Sequence, residues 1–214
     1  MRSSLSAAAL LAALATPLAA QDHADHAAAG GGAAPAGWTV RADRGDAKNA
    51  KVVTMGQGLH ITLGPAIILY RAEMDGKGSF HTLARFTQTK PSEHPEGYGL
   101  FVGGQGLDGA AQKYIYFLIR QDGSYVIKRR DGDKATDITK GWVQHAAIQK
   151  PDAKGTAVNL LEVDNKRDES KLVFQVNGQE VYSTAAKGMA LDGMVGLRVN
   201  HNLDLHVEGF DVHR

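Results

Sequence analysis

Asp204 and His206 stand two residues apart in the segment from Arg198 to Glu208, where every second residue is polar. In a strand, residues i and i+2 lie on one side, about 6.6 Å apart along the chain. A carboxylate and an imidazole so placed can bind a divalent cation or orient a sugar hydroxyl. Arg198, Asn200 and Asn202 extend the row with further donors and acceptors. Leu197, Val199, Leu203, Leu205 and Val207 take the opposite parity, so one face is buried and one is wet. His201 interrupts the apolar parity and reads as a bend or a tight turn.

A second wall comes from the hairpin YIYFLIRQ, Asp122-Gly123, SYVIKRR. Asp-Gly between aromatic and β-branched runs is a strong hairpin signal. Tyr114, Tyr116 and Arg120 share a face with Leu118, while Ile115, Phe117 and Ile119 form the more apolar side. The apolar side turns inward, which leaves Tyr114, Tyr116 and Arg120 outward, where a ring can pack on sugar C–H groups. Trp38, Trp142 and Tyr98 are further stacking candidates, and the loop Glu93-His94-Pro95-Glu96 is a candidate contact.

Catalytic and metal motifs are incomplete. Glu162-Val163-Asp164 has the spacing of a glycosidase carboxylate pair, but Lys166 and Arg167 follow where another carboxylate is needed. Asp131, Asp133 and Asp137 suggest a calcium loop, yet Ala135 and Trp142 fill positions that need oxygen ligands. Neither a G-x-S-x-G nucleophile motif nor a phosphate-binding loop is present. The sequence therefore assigns no catalytic residue, no metal ligand and no cofactor, calcium included.

The first 20 residues read as a signal peptide: Arg2, an apolar run from Leu5 to Leu14, then small residues with cleavage after Ala20. The run is shorter than the ~20 residues needed to span a bilayer. Gln21 to Gly37 is rich in Ala and Gly and reads as a flexible linker. Its His23 and His26, beside Asp22 and Asp25, are either a weak metal site or a solvated tail. Cys is 0, so no disulfide framework exists, and export to a bacterial periplasm or the exterior is the expectation. A formal net charge of +1 without a basic stripe argues against nucleic acid. No later segment is a transmembrane candidate, and oligomeric state is left open.

From Trp38 to Arg214 short strands alternate with turns, and no run has helical period. Such a chain is one all-β, antiparallel sandwich or barrel domain spanning 38–214. YGLFVGG, the Asp-Gly hairpin, NLLEV, KLVFQVNGQEV and DGMVGLRV, in this order, resemble a concanavalin-A-like jelly roll of the lectin/glucanase type. Similar modules occur in exported bacterial proteins called 3-keto-disaccharide hydrolase-like. Their opening L-F-N-G-K-x-L-x-x-W is replaced here by AGWTVRADRGDAKNAKVV. The resemblance implies a two-sheet sandwich and a glycan partner on the concave sheet face, held by Arg198, Asn200, Asn202, Asp204, His206, Tyr114, Tyr116 and Arg120. The expected function is an exported, non-catalytic carbohydrate-binding module. The alternatives are a sugar-directed hydrolase and a structural or interaction domain without a small ligand.

Overall fold

The computed structural model describes residues 34–44 and 46–214. The expected signal peptide and the linker up to residue 33, with His23 and His26, lie outside the described residues. The end of the expected linker is a turn, in which Trp38 N–H donates to Pro35 C=O at 2.9 Å.

Fifteen strands follow in order: β1 (Thr39–Ala42), β2 (Ala50–Met55), β3 (Gly58–Leu63), β4 (Ile67–Asp75), β5 (His81–Gln88), β6 (Tyr98–Gln105), β7 (Lys113–Ile119), β8 (Ser124–Asp131), β9 (Lys134–Asp137), β10 (Val143–Gln144), β11 (Ala157–Asp164), β12 (Lys171–Val176), β13 (Gln179–Ala185), β14 (Met194–Val199) and β15 (Asp204–His213). Among the described residues the one helical segment is a short 3-10 turn, Ala47–Asn49, where the Asp46 side chain accepts from the Lys48 N–H.

The strands form two antiparallel sheets packed as a sandwich. Sheet A runs β1-β4-β14-β6-β7-β8-β10, with β9 also paired to β8, and sheet B runs β13-β12-β11-β5-β15-β3-β2. Period-2 alternation makes the core. Phe80, Thr82, Ala84 and Phe86 point one way and are each 0% exposed. Phe86 of sheet B meets Tyr98 of sheet A at 5.5 Å between ring centroids, and Phe117 of sheet A meets Phe174 of sheet B at 5.4 Å. These pairs tie the two inner faces together.

The turns follow their chemistry. Asn177 (φ 52) and Gly178 (φ 76) both take the left-handed region, as a two-residue type I′ hairpin demands. The β7–β8 link is longer than two residues: it spans 120–123, closed by Arg120 N–H to Ser124 C=O at 3.0 Å. Gly123 (φ 85) closes it with its N–H on Arg120 C=O at 3.0 Å, and the Gln121 carboxamide accepts from Ser92 N–H and donates to Ser92 C=O, both at 2.9 Å. That clamp draws the hairpin end toward the 90–94 loop. In β15 a bulge at Gly209 (φ 60) shifts the register, so Phe210 and Val212 pack inward after Leu205 and Val207.

Among the described residues no helix is long and apolar enough to cross a membrane. Phe117 is fully buried between the two sheets. Phe117→Ala is expected to cost about 3–5 kcal/mol in urea denaturation. Val158→Ala, at a position 40% exposed, is expected to stay within ~0.5 kcal/mol.

Candidate functional site

The polar row read along residues 198–208 is divided between the two sheets. Arg198 lies on β14 in sheet A, paired across from Ile68 and Gly99. Asp204 and His206 lie on β15 in sheet B, paired across from Thr62 and His60. Both sets point away from the core, but from opposite sides of the sandwich. Asn200, half-buried, and Asn202, exposed at φ 56, belong to the connecting turn, which Asn200 N–H fastens to Gly97 C=O at 2.9 Å. A single ligand-binding row of all five residues is therefore corrected to two faces joined by a turn.

Arg198 does share a face with Tyr114 and Tyr116. Its guanidinium forks the Asp43 carboxylate, Nη1 to Oδ1 at 3.1 Å and Nη2 to Oδ2 at 2.6 Å, and Nη1 also donates to Tyr114 Oη at 2.9 Å. The same group lies 4.8 Å from the Tyr116 ring centroid. Arg198 is only 5% exposed. Both tyrosines face outward from the sheet, as their parity implies, yet both are buried. With Ile68, Phe101, Leu107, Leu118 and Val126 they form a second apolar cluster on the outer side of sheet A. The expectation of open rings is corrected: β7 is apolar on both sides, so its outer side is covered too.

Arg120 lies on the same side, 4.3 Å over the Trp142 ring. Its Nε donates to Ser124 Oγ at 2.8 Å, and Nη2 pairs with Asp122 at 2.8 Å. Trp142 lies down over Gly97, where an added Cβ would stand 2.9 Å from the indole. Lys128 pairs with Asp137 at 2.9 Å, and Arg130 approaches Asp43 at 3.7 Å. At the β7–β8 rim, beside the 188–190 segment, a cavity of about 190 Å³ is lined by Lys113, Tyr114, Arg129, Arg130 and Asp131.

Asp43 is the residue that sequence reasoning missed. It follows the short strand β1 and meets a partner 155 residues away, so no local pattern announces it. Burial acts to raise the Asp43 carboxyl, but the Arg198 hydrogen bond and the charges of Arg198, Arg130 and Arg41 outweigh it and hold it below the ordinary carboxylate range. Burial raises both Tyr114 and Tyr116 above the usual phenol range despite the opposing charge of Arg198, so both stay neutral donors or acceptors.

The outer face of sheet B has a different chemistry. His60 stands directly across from His206, and His81 across from His213. Asp204 takes His60 Nε2 at 3.3 Å and Lys90 Nζ at 3.0 Å, and accepts from Thr89 Oγ1. Burial works to raise its carboxyl, while Thr89, Lys90 and His60 lower it, and the net position is below the ordinary range. His206 pairs with Glu208 at 3.1 Å. Glu162 holds His81 at 2.9 Å, and Asp164 accepts from the Lys166 and Arg167 N–H groups, so this pair ends a strand in a polar turn. Among the described residues no three His, Cys, Asp or Glu side chains converge as a metal site.

The remaining candidates are structural in setting. Asp131 and Asp137 flank the β8–β9 hairpin and pair with Lys113 and Lys128. Tyr98, 1% exposed, is a core residue. Trp38 packs on Phe210 at 5.6 Å. Glu96 takes His201 at 2.8 Å, which joins its loop to the turn between the sheets.

No protein-family model matches the chain, and comparison with curated proteins finds no match. Solved structures do resemble it. The carbohydrate binding module CBM66 from Bacillus subtilis superposes with a TM-score of 0.60 at 10% identity, covering 83% of this chain and 96% of that one. The carbohydrate recognition domain of Emp46p gives 0.58 at 15% identity, over 83% and 88%. A GH16 protein of the Bacteroides ovatus mixed linkage glucan PUL gives 0.53 at 10% identity, over 82% and 94%. At such identities the likeness concerns the fold, which is the concanavalin-A-like lectin/glucanase sandwich.

Removing Asp43 strands a buried guanidinium. Asp43→Ala is expected to cost about 3–5 kcal/mol in urea denaturation, and adding Arg198→Met to recover most of that loss. The folded-state carboxyls of Asp43 and Asp204 lie below their unfolded-chain values. Their contribution is therefore complete above about pH 4 and fades as pH falls through the folded values. Urea midpoints measured downward from neutral pH are expected to drop below about pH 4, and to drop less steeply in Asp43→Asn.

Proposed function

We propose that the chain is an exported carbohydrate-binding module that holds a glycan on the outer face of sheet A. One observation carries the reading. On this face of a lectin-type sandwich, guanidinium groups are laid against aromatic rings, Arg120 on Trp142 and Arg198 on Tyr116, instead of projecting freely into solvent. Of this bed the half-exposed Arg120 and Trp142 offer a flat ring beside a fixed guanidinium, which is what a sugar ring with its C–H face and hydroxyl rim requires, while Tyr114, Tyr116 and Arg198 are buried in its floor. The carboxylates of the face support binding without cleavage. Asp43, Asp122 and Asp137 are each bound to a cation, whereas glycoside hydrolysis needs two carboxyl groups facing one bond. Arg120 and Trp142 thus face the proposed site, and the buried Arg198, Tyr114 and Tyr116 support it from below. Asn200 and Asn202 stand at its edge, and Asp204 and His206 stand apart from it.

Calorimetry or a glycan array tests this. The chain is expected to bind a saccharide, and Trp142→Ala to weaken binding about thirtyfold, the effect of losing a ~2 kcal/mol aromatic anchor. Asp204→Ala with His206→Ala is expected to leave affinity unchanged. A chain that binds no saccharide would overturn the reading, and loss of binding in the Asp204/His206 variant would move the site to sheet B.

A further inference from the structure

The guanidinium of Arg120 is fixed by its own hairpin and by Trp142. Nε donates to Ser124 Oγ at 2.8 Å, and Nη2 pairs with Asp122 Oδ2 at 2.8 Å. Ser124 Oγ in turn donates to Asp122 Oδ1 at 2.6 Å, and Ser124 N–H donates to the same oxygen at 3.0 Å. Arg120, Ser124 and Asp122 thus close a ring of hydrogen bonds inside the 120–124 turn. The Trp142 ring centroid, 4.3 Å from Cζ, backs the guanidinium plane. Nη1 is left over. It makes no hydrogen bond among the described residues, on a side chain that is 24% exposed. Arg198 differs, since both of its Nη atoms are spent on Asp43 and it is buried.

A donor already held in place loses little freedom when a ligand arrives. The hold persists at neutral pH. Burial acts to raise the Asp122 carboxyl, but the bonds from Ser124 and Arg120 outweigh it and keep the group below the ordinary carboxylate range. Arg120 and Asp122 together then carry no net charge. A free N–H on such a pair suits a hydroxyl or ether oxygen. An anion would gain from Arg120 but meet the Asp122 carboxylate within the same turn.

We infer that Arg120 Nη1 is the donor that reads the ligand, that Asp122 and Ser124 are its positioning residues, and that the saccharide it takes is uncharged. This rests on the glycan-binding reading and adds the ligand class and the groups that ready the site. Gly97 belongs to the same arrangement, because its bare backbone leaves the room that the Trp142 indole fills.

Affinity electrophoresis in mixed-linkage β-glucan, xyloglucan, galactomannan and dextran tests the ligand class. Lys140, exposed on the turn before Trp142, has no acid partner among the described residues, so polygalacturonate is included as a charged probe. At least one neutral polysaccharide is expected to bind more tightly than polygalacturonate. On that polysaccharide Arg120→Ala is expected to weaken binding about tenfold, the loss of one hydrogen bond to a charged group. Asp122→Asn keeps an oxygen for the Ser124 N–H and removes the charge, and Ser124→Ala removes the acceptor of Nε. Each is expected to weaken binding in the native background and to have no further effect beside Arg120→Ala, because both act through Arg120. Losses that add in the double variants would overturn the positioning roles. Unchanged affinity in Arg120→Ala, with Trp142→Ala still weakening it, would overturn the role of Arg120 and leave the glycan-binding reading in place. Tighter binding to polygalacturonate than to every neutral polysaccharide would overturn the uncharged class. Absence of binding to every saccharide would overturn the underlying reading itself.

Discussion

Sheet A must cover apolar surface on both of its sides. In most sandwiches an outer sheet face is polar and is left to water. Here β7 buries every residue after Lys113, and β8 buries its first four. The inner side is closed by sheet B. The outer side has no second sheet, and it is closed by groups with an apolar body and a polar tip: tyrosines, a tryptophan, and arginines lying flat. The Arg198–Asp43 fork follows from that constraint. A guanidinium laid over Tyr116 loses its water and needs a carboxylate in exchange, and the end of β1 supplies it.

This explains why part of the site was legible in the sequence and part was not. Parity alone put Tyr114, Tyr116 and Arg120 on the outer side of β7, and the structure keeps them together with Arg198. Parity could not tell outward from exposed, because nothing local states that a face is covered by a strand end from far along the chain. The fold itself was readable: alternation, Asn177-Gly178 and the 122–123 turn signal each mark an antiparallel sandwich through local chemistry. The Asp-Gly link spans four residues, closed locally by Gly123 in the left-handed region, and its Gln121 bonds Ser92, a tertiary contact that no local pattern announces.

The division of the 198–208 row has a precise cause. The connecting turn, 200–203, contains four residues. An even number preserves parity, so Leu197 and Val199 before it and Leu205 and Val207 after it all fall on odd positions. The pattern therefore reads as one strand while the chain passes from one sheet to the other. Two residues mark the corner: His201, which breaks the apolar parity, and Asn202 at φ 56, whose amide side chain tolerates the left-handed region. Sheet B then receives Asp204 and His206 into a set of carboxylate–histidine pairs, His60 with Asp204 and His206 Nε2 with Glu208, while His206 Nδ1 is buried without a hydrogen-bond partner.

Sheet A ends in strands of 4 residues at β1 and 2 residues at β10. Sheet B is bounded by longer strands, β2 with 6 and β13 with 7. A long bare edge is a template on which another chain can add a strand, and a short one offers few N–H and C=O groups to grip. Growth of the sheet by strand addition is thus discouraged on the side that carries the aromatic and guanidinium bed. An edge that cannot recruit another strand keeps the sheet at its present width, so the short rims limit association of sheet A with a second copy through its backbone.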